Sequence, residues 1–525
     1  MNQLNPLVLL FILVCLINSC SEGQDNQEIR PRIVITADPE LDDQNSLIRM
    51  LMYSTDLRIE GLIYASSGFH WKGDGKGTLW EQPNREYNRF GLDLCPCESW
   101  RWAEDERFIH DVVEAYEVVY PNLKTHNKAY PEPQLLKSKI RFGNIEFDGD
   151  ISKDSPGSDL IKSLILDNIP GKLYITAWGG QSTIARSLKS IQQEFEKTPD
   201  WPRIREKINR KVVLLPSGDQ DNTYQKYIQP NWPDIEYRQF QDGPNYSYGA
   251  QNNATPENSS YLASEWMKPN ISDQGSLGEL YRVWGDGKQM VEGDIFDYFG
   301  FSEYSDQELR DMGYIVWTPV QKKGSWLGEG DNPTFMNMLG NGLRAYEEGY
   351  FGGWGGRVVN KTDQARVETP SDSTSGNPSL QDIASSMNFM TSGVSNTEFP
   401  NFFPAAQNDF AARLKWSVTP IYEDANHEPS IEIEGEKSFK AAPRDLITLK
   451  AKISDPDRDS VNIKWWQFDG LGLPVIINPD DSSDEIEFQI PETAKSGDFI
   501  HIILEGRDNG VPNLTRYQRI VIEIE

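Results

Sequence analysis

Four stretches in the first half of the chain share one pattern: "RIVITAD" (32–38), "RIEGLIYASS" (58–67), "GKLYITAWGG" (171–180) and "KVVLLPSGDQD" (211–221). Each is a short run of β-branched and aliphatic residues that ends in small or polar ones. Runs of this kind read as strands buried on both faces. Between them lie "QNSLIRMLMYS", "SDLIKSLILDNI" and "STIARSLKSIQQEF", whose apolar positions recur at helical spacing. Apolar strands alternating with amphipathic helices predict an α/β fold, a mostly parallel sheet with flanking helices. Ligands in such sheets bind outside the carboxyl ends of the strands. The Asp cluster after the first strand, "ASSGFHW", "AWGGQS" and "SGDQDN" all fall at strand ends and therefore converge.

After about residue 425 the pattern changes. "SIEIEG", "DLITLKAKI", "NIKWWQF", "DEIEFQI", "FIHIILEGRD" and "QRIVIEIE" are short alternating strands separated by turn residues. They predict an all-β sandwich over 426–525, behind an α/β domain over 31–425. The stretch "TPSDSTSGNPSLQD" (369–382) is polar and reads as a surface loop, and "NDFAARLKWSV" (408–418) as a last helix or strand of the first domain. In "KWWQF", Trp465 and Trp466 must point to opposite faces of one strand, because side chains alternate. One then belongs to the sandwich core, and the other is free to pack on the first domain. The loop "DPDRD" (Asp455 to Asp459) is either a second calcium site or an Asp-Pro turn capping its own backbone.

The N-terminus reads as an address. "LVLLFILVCLINSC" is apolar, too short to span a membrane well, and ends in small or polar residues before Cys20. "LINSC" resembles a bacterial lipobox, although residues 1–19 contain no Lys or Arg. The expectation is a lipoprotein signal peptide over 1–19, a lipid anchor on Cys20 and a polar tether over 20–30. That places the protein in a bacterial cell envelope, on the outer membrane or cell surface. Composition narrows the partners. With 38% hydrophobic and 11% aromatic residues the chain has a sizeable core, and a net charge of −29 disfavours nucleic acid and anionic membrane surfaces. A metal cation or a neutral ligand such as a sugar suits that field. Cys95 and Cys97, in "CPC", are expected to be two thiols, since a disulfide across one residue is strained.

The stretch "ITADPELDDQNSL" (35–47) gathers Asp38, Asp42 and Asp43 just past the first strand. Unpaired buried carboxylates are very costly. A helix N-terminus welcomes one of them; three call for a cation. Calcium takes about six to eight oxygen ligands and keeps converging carboxylates ionised. Asp38 and Asp43 are the candidate ligands, leaving Asp42 for a ligand hydroxyl.

The run "TADPELDDQNSL" resembles the N-terminal signature of the nucleoside hydrolases. More of the chain is similar to the nucleoside hydrolase-like proteins described as cellulose-binding, which carry a C-terminal immunoglobulin-like domain. The matching pieces include "AWGGQSTIARSL", "GDQDNTYQKYIQPNWPDIEY", "GEGDNPTFMNMLGNGL", "GGWGGR", "NDFAARLKW" and "DPDRDSVNIKWWQF". The resemblance implies a nucleoside hydrolase-like sheet followed by an immunoglobulin-like sandwich. It also implies calcium held by Asp38, Asp43, a backbone carbonyl near Trp178, and Asp331, with Asp38 activating water and Asp42 on the sugar hydroxyls. Three positions depart from it: Thr36 replaces the first Asp of the run, Gly330 stands where many members have His, and "SGDQDN" occurs where a sugar-binding "E-F-N" is expected.

Cleaving a bond at an anomeric carbon passes through an oxocarbenium-like state, and it needs an activated water and help for the leaving group. His70 and Glu329 are the candidate acids, with Asp219 and Asp221 as carboxylic alternatives. Asp221, Asn222 and Trp71 are expected on the substrate side. Trp80, Trp100, Trp102, Trp326 and Trp354 are either sugar platforms or core. The resulting expectation is a calcium-dependent hydrolase of an N- or O-glycosidic bond of a ribose-like or other furanosyl group, acting on a carbohydrate or nucleoside-like molecule. The alternative is a non-catalytic carbohydrate-binding envelope lipoprotein of a glycan-utilisation system.

Overall fold

The structure is a computed structural model that describes residues 30–89, 92–360, 399–477 and 483–525. The expected signal peptide, Cys20 and the loop 369–382 lie outside the described residues. Among those residues no helix is long and apolar enough to cross a membrane.

The first unit is a seven-stranded sheet built from β1 (Arg32–Ala37), β2 (Arg58–Tyr64), β3 (Ile140–Phe142), β4 (Leu173–Ala177), β5 (Val212–Pro216), β6 (Glu236–Asp242) and β7 (Arg357–Asn360). Its order is β3-β2-β1-β4-β5-β6-β7. All neighbours pair in parallel except β6 and β7. The chain winds outward from β1 on one side and from β4 on the other, so the topological switch lies between those two strands. β1, β4 and β5 are buried along their whole length, which is why they read as unbroken apolar runs.

Five helices cover this sheet: α1 (Leu41–Met52), α2 (Phe108–His126), α3 (Pro156–Leu166), α4 (Ser182–Phe195) and α5 (Trp201–Lys211). The start of α3 is set locally: Ser155 accepts a hydrogen bond from the Ser158 amide, and Pro156 occupies the first turn. α1, α2 and the inner residues of β1 and β2 share one apolar core, while α3, α4 and α5 share a second with β4 and β5. A further helix, α6 (Phe403–Val418), realises the "NDFAARLKWSV" stretch and packs into the first of these cores.

The second unit is the expected sandwich. β8 (Ser430–Ile433), β10 (Leu446–Ser454) and β12 (Glu485–Gln489) form one sheet; β9 (Ser438–Ala441), β11 (Asn462–Gly472), β13 (Phe499–Arg507) and β14 (Thr515–Ile524) form the other. Trp465 is buried in the sandwich core, and Trp466, on the opposite face of β11, packs toward Phe402 of the first unit with ring centroids 6.3 Å apart. The "DPDRD" loop is a self-capping turn: Asp455 accepts from the amides of Asp457 and Asp459 at 2.8 and 3.0 Å. Asp457 also accepts from the His427 amide at 2.7 Å.

The cysteine expectation is corrected. Cys95 and Cys97 form a disulfide, their Cα atoms 4.7 Å apart. The turn through Pro96 brings the two sulfurs together where residue spacing alone argued against it.

Candidate functional site

The carboxylates gather where the strand order reverses. Asp38 follows β1 directly, and the extended residue Glu40 turns the chain into α1, whose first turn carries Asp42 and Asp43. Helix N-termini stabilise negative charge, so this turn is a suitable place for them. Asp331 comes from a loop some 290 residues later, and its carboxyl meets the Asp43 carboxyl and the Ser217 hydroxyl at hydrogen-bond range. The Asp38 amide donates to Asp43 Oδ1 at 3.1 Å, and Ser67 Oγ, at the end of β2, donates to Asp38 Oδ2 at 2.6 Å. Asp42 accepts from the Tyr248 hydroxyl and from the Gly330 amide, both at 3.0 Å.

Two glycines make this packing possible. A Cβ at Gly179 would meet Asp38 Oδ1 at 2.3 Å, and one at Gly330 would meet Asp42 Oδ2 at 2.4 Å. The departure of Gly330 from the family pattern thus has a steric role: it lets the backbone approach Asp42.

Asp38, Asp42, Asp43 and Asp331 are all buried. Burial pushes the Asp38 carboxyl up to about 7 and that of Asp42 up to about 6. Asp43, Asp331 and half-buried Glu40 are also raised, by burial first and by their acidic neighbours second. Asp38 Oδ1 and Asp331 Oδ2 are buried oxygens without a hydrogen-bond partner. Converging, buried, incompletely satisfied carboxylate oxygens are the donor set that suits a cation. The Trp178 carbonyl lies at the same edge; it accepts from Gln220 Nε2 at 2.6 Å and keeps a second lone pair. These residues fit a hard divalent ion.

The expected substrate and acid residues fare differently. Glu329 is fully buried in an ion pair with Arg49 and also receives Asn332 Nδ2 and the Tyr281 hydroxyl. A carboxylate claimed by three donors is structural. The oxygens of Asp221 accept from the amides of Ser182 at 2.8 Å and Thr223 at 3.0 Å. Asp219 likewise accepts from the amides of Tyr224 and Gln225. Asn222 adopts a left-handed backbone with φ 60° and serves the same turn. Trp71 is wholly buried, its backbone bridged to Trp100, so its face is not open to a sugar. Trp326 and Trp354 belong to the core as well.

His70 is brought to the cluster, but not as an acid. Its Nδ1 lies 2.8 Å from the Arg101 carbonyl, which can only accept, so Nδ1 carries the proton and Nε2 presents a lone pair. Burial, then the Arg101 guanidinium, hold the ring well below the usual imidazole range. Ligand atoms of Asp38, Glu40 and His70 lie within 4.8 Å of one another, as do those of Glu40, Asp42 and Asp43. Sequence reasoning missed Glu40, although it stands inside the acidic run. Ser67 sat in a strand end already singled out, whereas Tyr248 and Arg101 had no local signal.

Comparisons with known proteins bear on the fold and the family. Residues 32–358 match the family described as cellulose-binding Sde182, nucleoside hydrolase-like domain, and residues 446–524 match the C-terminal domain of cellulose-binding protein Sde0182. A solved structure of a nucleoside hydrolase-related hypothetical protein from Saccharophagus degradans, described as associated with carbohydrate metabolism, aligns at 25% identity. It covers 94% of this chain and 100% of its own, with a TM-score of 0.65. A chimeric titin Z1Z2 structure covers 19% of the chain at 18% identity and a TM-score of 0.14. No curated protein matches the chain. A mostly parallel sheet with an acidic cluster at its switch point, an appended sandwich and matches over both units lead to one conclusion: this chain belongs to the cellulose-binding Sde182 family, with its nucleoside hydrolase-like domain.

Proposed function

We propose that the chain is a calcium-dependent hydrolase of a glycosidic bond, acting on a furanosyl or related group of a carbohydrate or nucleoside-like molecule. The observation that carries this reading is Asp38. It is a buried carboxylate at the switch point, held on one oxygen by Ser67 while the other has no partner. Calcium held by Asp38, Asp43, Asp331 and the Trp178 carbonyl would supply Lewis-acid polarisation and a grip on vicinal hydroxyls. Ser67 and the Asp43 carboxylate fix the Asp38 side chain and backbone. Asp38 Oδ1 is left to accept a proton from an attacking water. Asp42, fixed by Tyr248 and Gly330, retains lone pairs with which to orient a sugar hydroxyl.

A second reading has its own observation. Glu329 is held in an ion pair and His70 is a proton acceptor, so neither expected leaving-group acid is free to act. A chain with the sugar grip and no acid would bind carbohydrate without turnover, in keeping with the family's description. The envelope location and a lipid anchor on Cys20 remain part of the proposal; their support is the "LINSC" segment, and Cys20→Ser should release the protein from membrane fractions.

The deciding experiment is a hydrolysis screen on nucleosides and plant or algal oligosaccharides, with and without chelator. The hydrolase reading expects turnover that chelation abolishes and that Asp38→Asn lowers by about 100-fold or more, the scale of a lost general base. Binding of the same oligosaccharides with no turnover under any condition would replace it with the second reading.

A further inference from the structure

His70 is difficult to explain as core. It has no exposed surface, yet Nε2 is a buried acceptor without a partner. Leaving such a buried group unsatisfied is costly. Its other nitrogen donates to the Arg101 carbonyl at 2.8 Å. A ring so held is fixed in one tautomer and orientation, and this is how metal-binding imidazoles are usually supported. The guanidinium of Arg101 is turned to other partners, pairing with Glu86 at 3.0 Å and Asp294 at 2.6 Å.

What the ring meets is two carboxylates. Ligand atoms of His70, Asp38 and Glu40 lie within 4.8 Å of one another. Asp38 keeps one oxygen, Oδ1, without a hydrogen-bond partner, and Glu40 is the half-buried member of the group. A tetrahedral ion at about 2.0–2.2 Å from each ligand would need the three atoms roughly 3.4 Å apart, a closing movement of at most about 1.4 Å. Two carboxylates and one imidazole leave a fourth position open, the arrangement of a zinc site that accepts water or a ligand oxygen.

We infer that Asp38, Glu40 and His70 form a second cation position, which shares Asp38 with the all-oxygen set of Asp38, Asp43, Asp331 and the Trp178 carbonyl and is selective for a zinc-like divalent transition ion. The chemistry separates the two. Calcium takes oxygen donors, whereas an imidazole nitrogen favours zinc, cobalt or nickel. Asp38 belongs to both donor sets. His70 and Glu40 belong to this position alone, so their variants test it apart from the calcium reading.

The test is a titration of chelator-stripped full-length protein with zinc in the presence of excess calcium, followed by calorimetry, with cobalt as a spectroscopic substitute. One zinc per chain is expected, and X-ray absorption should find one imidazole in its shell. His70→Gln and Glu40→Gln should each weaken zinc binding by at least the roughly 10–100-fold that follows loss of a supporting partner. Asp331→Asn should spare zinc and impair calcium. Glu40 is half-buried, so its variant remains informative should His70→Gln fail to fold. Absence of zinc binding in excess calcium, an oxygen-only shell, or unaltered affinity in both variants would overturn the inference. In that case Glu40 would carry a proton and donate it to His70.

Discussion

At the scale of single residues, the site depends on what is absent as much as on what is present. Gly179 has no Cβ because Asp38 Oδ1 occupies the space where one would sit. Gly179→Ala should therefore displace Asp38 and weaken calcium binding by about tenfold or more, at a modest cost in stability; calorimetric titration beside a melting curve checks both. The Arg49–Glu329 pair answers to a different rule. Both side chains are fully buried, and removing one partner leaves the other charge uncompensated. Arg49→Leu should cost about 3–5 kcal/mol in denaturant unfolding, where the loss of a surface pair would cost under about 1 kcal/mol. A small effect would show that Glu329 is neutral in the fold and would reopen it as an acid.

At the scale of elements, the alternation of β11 divides the work between adjacent tryptophans. Trp465 lies in the sandwich core, paired across from Leu504, and its indole donates to the Ser483 carbonyl at 2.9 Å. Trp466 is partly buried and faces Phe402 at the start of α6. Trp465→Ala should cost the sandwich about 3–5 kcal/mol, as large-to-small core changes do. Trp466→Ala should cost less and act at the junction, exposing it to limited proteolysis while the sandwich itself still melts cooperatively. Equal losses of sandwich stability in both variants would contradict this division. The alternation was legible in "KWWQF", since a period of two needs no tertiary information; the partner across the junction was not.

At the scale of the whole molecule, the sandwich is joined to the sheet domain by polar contacts buried on both sides. The amides of Tyr517 and Arg519 donate to the carbonyls of Asn341 at 2.8 Å and Gly342 at 3.1 Å. Arg516 pairs with Asp409 of α6 at 2.6 Å, and the buried Arg519 side chain donates to the Leu343 and Phe351 carbonyls. At the same junction His126 of α2 sits 3.0 Å from His427, with its Nε2 2.7 Å from the Thr419 carbonyl, while His427 faces Asp457. His126 donates through Nε2 to that carbonyl, and burial lowers its pKa below the usual imidazole value. The unfolded chain takes up that proton near pH 6.5 and the folded chain resists it. Below that point the unfolded state binds more protons, so this contribution to stability falls as pH falls. The limit for one group is about 1.4 kcal/mol per pH unit. The melting-temperature advantage of wild type over His126→Gln should shrink between pH 7.5 and 5.5. An advantage that stays constant with pH would remove His126 as the cause.

The sequence by itself determined the elements and their edge: continuous apolar runs can only be strands covered on both faces, and their polar tips must lie at the carboxyl ends. It also determined that Asp38, Asp42 and Asp43 share one location, because they are five residues apart around a strand end and a helix start. The tertiary structure alone decided which distant groups complete or remove each candidate. Glu329 is paired with Arg49, 280 residues away, and Asp42 with Tyr248 at a separation of 206. Asp221 was diverted to backbone amides, and His70 was turned by the Arg101 carbonyl into an acceptor. The physical reason is that periodicity and turn chemistry act over a few residues. The protonation and availability of a buried side chain depend on the partners within about 3 Å of it, and those are chosen by the path of the whole chain.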